Sequence, residues 1–319
     1  MVNYGYLLKR VSIALLSLFI ISSLIFVMTT ALPGSAANIV LGTDATPDRI
    51  DELESEIGLD RPLHERYLDY VVGTFTLDWG ESLLSGQPVV ELIVPAFFRT
   101  LELAVVAMGL SIVTAIPFGI LTASQRDSIF DSVVSGLGYI GVSIPTFVSG
   151  TLLLLVFTRG TFGFFPSGGY VAPGTDPIAW LSHMILPAVT LNIVIFAYVM
   201  RQTRSSMIET LESDYIRTAR LKGIPERNVL LRHALRNGLL PTVTILALNV
   251  GWLMGSVVIV EEIFSYPGIG RLLIDAINQR NLPVIQAAIM VPTAAFIFAN
   301  LTADILYTYL DPRISLGDS

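Results

Sequence analysis

Few side chains in this sequence are placed to do covalent or metal chemistry. Glu102, Asn249 and Asp304 are polar groups inside long apolar runs, where a carboxylate is costly and often functional. Glu102 stands near one end of its run and Asp304 near the end of another, so each can reach interfacial water or bond a neighbouring helix. We read both carboxylates as structural rather than proton-carrying, and keep all three residues as structural or pathway candidates. His64, His183 and His233 are scattered and form no pair at metal-ligand spacing. There is no Cys, which excludes disulfides and thiolate metal sites. A phosphate-cradling loop needs Gly-Lys followed by Ser or Thr; this chain has Lys222-Gly223, the reverse order. The sequence therefore predicts no nucleotide site, no cofactor, no metal and no catalytic constellation of its own.

The densest pattern is a basic polar stretch, Arg201 to Arg236, which holds eight of the 19 Lys and Arg residues. Ser213 or Asp214 can cap a short helix running through Lys222. Gly223 can take the left-handed turn that ends it. Ile224-Pro225 then opens a second helix, with Leu231, Leu235 and Leu239 at helical spacing and Arg232 and Arg236 off that row. Such a loop can lie on anionic lipid, or its first helix can fit a cleft on a soluble partner. The second reading is preferred, with Tyr215, Arg217, Thr218, Ala219, Gly223, Ile224 and Pro225 as the docking element and Ala219 on its contact face.

The elements that carry this loop follow from composition. The chain has 319 residues, of which 53% are hydrophobic and only 14% charged, and its mean hydropathy is +0.68. Soluble domains carry about 25% charged residues, so this is an integral membrane protein. Apolar runs long enough to span a bilayer lie at Val11 to Leu32, Leu101 to Ala123, Val133 to Phe157, His183 to Met200, Leu239 to Val260 and Val284 to Leu310. The first could be a signal peptide cleaved near Ser35-Ala36-Ala37. It is longer than a typical signal core, so it is read as an uncleaved anchor. Six spans put both termini on one side. Lys9, Arg10, Arg126, the basic stretch and Arg313 then share the cytoplasmic face, as the positive-inside rule requires.

The expected domains are a tail and first helix (1–32), a polar extracytoplasmic region (33–95), a five-helix core (96–310, with the loop at 201–238) and a cytoplasmic tail (311–319). Residues 33–95 carry twelve acids against Arg49, Arg61 and Arg66. Two short helices are expected there, one from Thr46-Pro47 to Ile57-Gly58 and one from near Arg61-Pro62. Roughly 159–182 and 261–283 are read as external loops, with Glu261-Glu262 solvated. Pro117, Pro145, Pro187 and Pro292 should kink their spans, and Gly109, Gly119, Gly136, Gly138, Gly141, Gly251 and Gly255 permit close helix approach. The charge asymmetry describes topology and gives no reason to expect nucleic acid.

The loop strings carry a resemblance. Tyr215-Ile216-Arg217-Thr218-Ala219-Arg220, then Lys222-Gly223, then Leu230-Leu231-Arg232-His233-Ala234-Leu235-Arg236-Asn237 resemble the permease subunits of dipeptide and oligopeptide ABC importers. The wider consensus of such permeases is Glu-Ala-Ala, three residues, Gly, nine residues, Ile, one residue, Leu-Pro. Here Arg217-Thr218-Ala219 fills the triplet and Gly223 keeps the spacing. The Glu, the Ile and the final Pro are absent at their positions, although Leu240-Pro241 follow. Ile57-Gly58-Leu59-Asp60-Arg61-Pro62, Leu77-Asp78-Trp79-Gly80-Glu81-Ser82, Thr100-Leu101-Glu102-Leu103-Ala104, Ser143-Ile144-Pro145-Thr146-Phe147, Glu262-Ile263-Phe264-Ser265-Tyr266-Pro267-Gly268-Ile269-Gly270 and Asp311-Pro312-Arg313-Ile314 extend the likeness in order along the chain. The resemblance implies an all-α type I importer fold in a prokaryotic cell membrane. It also implies a second homologous permease, two cytoplasmic ATPase subunits that bind the ATP, an extracytoplasmic substrate-binding protein, and a coupling role for the helix near Arg217 to Gly223. The alternative class is an ion-gradient-driven secondary transporter, which needs charges near the midplane of broken helices.

Overall fold

The computed structural model describes residues 4–31, 41–42, 46–159 and 163–310. Their secondary structure is helical apart from one isolated bridge, Glu81 to Pro88. Five helices are long and apolar enough to cross a membrane, or six spans if one bent pair counts as one. The chain divides into two compact units, Leu101–Tyr266 and the segments flanking it.

The flanking unit holds α1 (Tyr4–Thr30), α2 (Pro47–Glu56), α3 (Leu63–Thr76), the first turns of α4 (Val89–Ser124), α12 (Ile269–Asn278) and α13 (Leu282–Leu310). α1 lies on α13, where Leu18, Ile25 and Met290 are buried together and Gln286 Nε2 donates to Thr29 Oγ1 at 2.9 Å. α2 starts and stops as its sequence asks, with Pro47 in the first turn after Thr46 and Gly58 at φ +71° after its end. Two elements differ from expectation. α4 begins at Val89 rather than Leu101, so the expected boundary at residue 95 falls inside a helix. The cause is a buried row, Val89, Ile93 and Ala96, packed against Ile269, Ala276 and Val284. The expected loop 261–283 contains α12, because Ile269, Leu272, Leu273 and Ala276 recur at helical spacing. Its first amide is held by Thr100 Oγ1 at 2.8 Å. The cleavage-like Ser35-Ala36-Ala37 and the closing Asp311 to Ile314 lie outside the described residues.

The central unit is organised around α7 (Pro177–Leu211), against which α5 (Ile129–Ser143), α6 (Thr146–Leu154) and α11 (Leu240–Ile263) all pack. Asp176 caps α7, accepting from the amides of Ile178 and Ala179 at 2.9 and 3.0 Å, with Pro177 in the first turn. α7 does not stop at Met200 but continues through the start of the basic stretch. Glycines make its contacts close: a Cβ at Gly119 of α4 would sit 2.6 Å from Thr203 Cβ and 2.8 Å from the Met200 carbonyl. At Gly141 of α5 it would meet Ile193 Cγ2 at 3.0 Å.

The third apolar run is broken into two helices bent by 103°. The break is at Ile144-Pro145. Proline cannot donate to the helix ladder and pushes the residue before it out of the helical region; Ile144 stands at φ −89°, ψ 123°. Pro187 and Pro292, by contrast, lie inside continuous helices. Glu261, expected in water, is fully buried, while Glu262 beside it is exposed.

Candidate functional site

The basic stretch folds as a helix, a tight reversal and a second helical segment. α8 (Asp214–Leu221) follows α7 after Ser213, whose backbone is extended as a cap requires. Its hydroxyl does not cap α8; it donates to the Thr210 carbonyl of α7 at 2.5 Å. At the far end, Gly223 N–H donates to the Arg220 carbonyl and Ile224 N–H to the Ala219 carbonyl, at 2.9 and 3.3 Å. With Gly223 at φ +76°, this is a Schellman turn, a conformation that side chains with a Cβ resist. Pro225 then precedes α9 (Glu226–Asn228), a π-wound segment (Val229–Ala234) and α10 (Leu235–Gly238).

One face of α8 is spent on the chain itself. Ile216 and Ala219 are buried with Met207 of α7, Ala123 of α4, and Val229 and Ala234 of the second segment. Ala219, expected on a partner-facing surface, is 7% exposed and faces inward. Arg220 ties the two arms: its Nε and Nη2 donate to Glu226 Oε2 and Oε1 at 3.1 and 2.7 Å. That guanidinium holds the Glu226 carboxyl below its ordinary range. Asn237 Nδ2 donates to Tyr215 Oη at 3.0 Å. Gly238 lets α10 seat on α7, since a Cβ there would meet Met207 Sδ at 2.5 Å. The other face is open: Tyr215, Arg217, Thr218, Leu221 and Lys222 are exposed, with Leu221 at 82%. Ile224 is half-buried and Pro225 exposed. A rigid short helix with an exposed Leu beside an exposed Lys and Arg can insert into a groove on another protein.

Sequence reasoning missed what anchors this loop. Arg204, in the extension of α7, donates Nε and Nη2 to Asp131 Oδ1 and Oδ2 of α5, both at 2.6 Å. Asp131 also accepts from the Asp127 amide at 3.1 Å and the Ser135 hydroxyl at 3.3 Å, so both carboxylate oxygens are engaged. A more exposed pair, Arg126 and Glu212 at 2.6 Å, joins the turn after α4 to the end of α7. The available signal was an acid at the start of one apolar run and a cation just past the end of another.

Two of the three polar candidates in the spans are held by local partners. Glu102 accepts from Trp180 Nε1 at 2.7 Å and from the Tyr170 hydroxyl at 3.1 Å, which fixes the loop between α6 and α7 to α4. Asn249 is buried and turns its Nδ2 onto the Ile245 carbonyl of its own helix at 2.8 Å. Asp304 falls within α13, and its side chain lies outside the described residues. Among the described residues no cluster of three His, Asp or Glu is arranged to hold a metal ion.

Comparison with known families agrees with this geometry. Residues 115–316 match the family described as the binding-protein-dependent transport system inner membrane component, and residues 3–104 match its N-terminal region. The chain belongs to this family. It is thus a permease component of an ABC importer, and a multi-pass membrane protein. A putative peptide transport system permease protein of Brucella abortus (strain 2308) is 39% identical over 97% of this chain and 98% of its own length. The dipeptide transport system permease protein of Escherichia coli (strain K12) is 38% identical over the same shares. The glutathione transport system permease protein of Escherichia coli O1:K1 / APEC is 37% identical, again over 97% and 98%. The ion-gradient alternative gains no support from any of these permeases.

Proposed function

We propose that this permease forms half of the translocation path for peptides or similar small solutes. It would work with a second homologous permease, two cytoplasmic ATPase subunits that bind and hydrolyse the ATP, and an extracytoplasmic binding protein that delivers the cargo. The chain has no ATPase site of its own. Both termini and the loop at 201–238 face the cytoplasm, and the acidic region after α1 faces outward. The charge distribution supports this orientation, and the names of the relatives support the cargo class. The observation that carries the coupling role is the half-buried, half-open α8, seated on α7 by its inner face and tied to α9 by the Arg220–Glu226 pair, with Leu221 and Tyr215 standing outward. Closure of the ATPase pair pushes on this helix. Because α7 continues from the loop into the span, the push reaches the bundle, which switches between two packings.

Gly223 offers a clean test. A Cβ there would meet nothing within 4 Å, so any harm from Gly223→Val comes from the backbone conformation alone. In reconstituted vesicles, Gly223→Val should lose stimulation of ATP hydrolysis by loaded binding protein. Gly223→Asn, which tolerates positive φ, should keep most of it. Full stimulation and uptake in Gly223→Val would remove the coupling role from this loop.

A further inference from the structure

α3 is drawn to the membrane by its contacts. Its Tyr67 hydroxyl lies 2.6 Å from the Ser23 hydroxyl of α1, and the Phe26 ring lies 5.3 and 5.6 Å from those of Tyr67 and Tyr70. Ser23 and Phe26 stand within the apolar stretch Leu8–Thr30. α3 and the first turns of α13 line a cleft of about 520 Å³, with Leu68 and Val72 on one side, Gln286 and Met290 on the other, and Trp79 beside them. Ligand pockets run from about 300 to 1,000 Å³, so the cleft has room for one. Its depth is set by α13. The apolar stretch Leu282–Thr302 is 21 residues long, about 30 Å, which matches the hydrocarbon core of a bilayer. Gln286 and Met290 stand four and eight residues into that stretch, about 6 and 12 Å. Gln286 is bonded to Thr29, and Met290 is buried with Leu18 and Ile25, so α1 gives the same depth. This is the level of the backbone itself and owes nothing to the reach of a long side chain.

Leu68 and Val72 are 59% and 60% exposed and sit one turn apart on α3, and Phe75 carries their row on. Phe19, Ile20 and Leu24 are exposed on the neighbouring α1. At this depth an exposed apolar side chain meets acyl chains rather than water. The cleft also carries Asp69 and Asp78. Asp69 meets Arg61 at 2.7 Å, whereas Asp78 accepts from the Gly80 amide at 3.4 Å and forms no ion pair among the described residues. Both lie in the polar region of twelve acids against three arginines. Carboxylates in such surroundings attract an amine and repel an anionic headgroup.

We propose that this cleft is a phospholipid site. One acyl chain enters past Leu68 and Val72 towards Met290, and an amine-bearing headgroup, as in phosphatidylethanolamine, lies at Asp78. The test uses the assembled transporter in nanodiscs doped with phosphatidylethanolamine or phosphatidylglycerol that carries a diazirine in one acyl chain. After irradiation, mass spectrometry compares label on residues 283–290 of α13 with label on the exposed face of α1, Phe19 to Leu24, which any surrounding lipid reaches. The phosphatidylethanolamine probe should raise that ratio about threefold over the phosphatidylglycerol probe, within the worth of an exposed ion pair. Asp78→Asn should bring the two probes level. Val72→Trp, which fills the cleft, should cut the α13 label severalfold and leave the α1 label unchanged, so a loss of fold, which would alter both, is told apart from a blocked site. An α13 label that Val72→Trp leaves unchanged would overturn the proposal, as would equal ratios from the two probes on the wild type. So would benzoyl-phenylalanine placed at position 72 that captures another subunit of the transporter instead of lipid, since the cleft would then be a protein interface.

Discussion

The two ends of α7 are fastened by different physics. At its N-terminal end the fastening is Glu102, which collects a Trp180 N–H and a Tyr170 hydroxyl. At the basic end it is Arg204 on Asp131, an ion pair with every carboxylate oxygen engaged, backed by the exposed Arg126–Glu212 pair. The first needs an acceptor in the right place and little else. The second needs a charge opposite a charge, in a place where Asp131 has almost no access to water. The end that carries the basic loop is thus the end whose attachment is most sensitive to charge.

The largest effect should come from Asp131→Asn. The neutral amide places an N–H donor against a guanidinium and leaves Arg204, 27% exposed, without its counter-charge. Breaking a buried pair this way costs about 3 kcal/mol or more. The solubilised complex should melt earlier, and binding-protein stimulation of ATP hydrolysis should fall more steeply than ATPase pull-down. Exchanging the two charges, Asp131→Arg with Arg204→Asp, should recover part of the loss. No recovery would mean that geometry rather than charge holds this end too.

Glu102 should behave otherwise. Glu102→Gln can still accept from Trp180 and can donate to Tyr170, so its melting temperature should stay near the wild type. Glu102→Leu leaves a half-buried indole N–H without its partner and should cost about 1–3 kcal/mol. Uptake by Glu102→Gln should persist when an uncoupler collapses the proton gradient at constant ATP. A large loss there would make the contrast between the two ends false and revive a proton-carrying role.

The smallest effects belong to the exposed pairs. Glu212→Gln should cost under about 1 kcal/mol and vanish at high salt. The Glu226 carboxyl is held below its ordinary range by Arg220, so its contribution is complete above the ordinary Glu value. That contribution is lost as pH falls through the lower folded value. With Glu226 65% exposed, acid titration of the isolated loop movement should be shallow. A steep acid transition abolished by Glu226→Gln would show that this pair does more than a surface pair can.

What was legible in the sequence was what periodicity and single residues decide. Six apolar runs, the cap region at Ser213 and the left-handed turn at Gly223 follow from spacing and from the special backbone of glycine. What was not legible depends on who sits opposite whom. Pro145 and Pro187 look alike in the sequence, yet one separates two helices at 103° and the other sits within a continuous helix. The surroundings decide that, and a single string does not encode them. Ala219 was placed outward because a small residue suits a contact; Ala123, Met207 and Ala234 claim it instead. Arg204 and Asp131 are 73 positions apart, beyond any local rule. Glu261 reads as solvated from its neighbour Glu262, and only packing shows it buried.

The π-wound segment Val229–Ala234 has a consequence for how this loop can change over generations. A π turn holds one residue more than the α turn it replaces. The stretch between Pro225 and Gly238 therefore carries slack: one residue could be deleted there, and the backbone could close into an ordinary α-helix. The reversal at Gly223 and the seat of Gly238 on Met207 would both keep their places. Length variation, usually forbidden inside a helix that must keep its register, has a tolerated address in this protein, between Gly223 and Gly238.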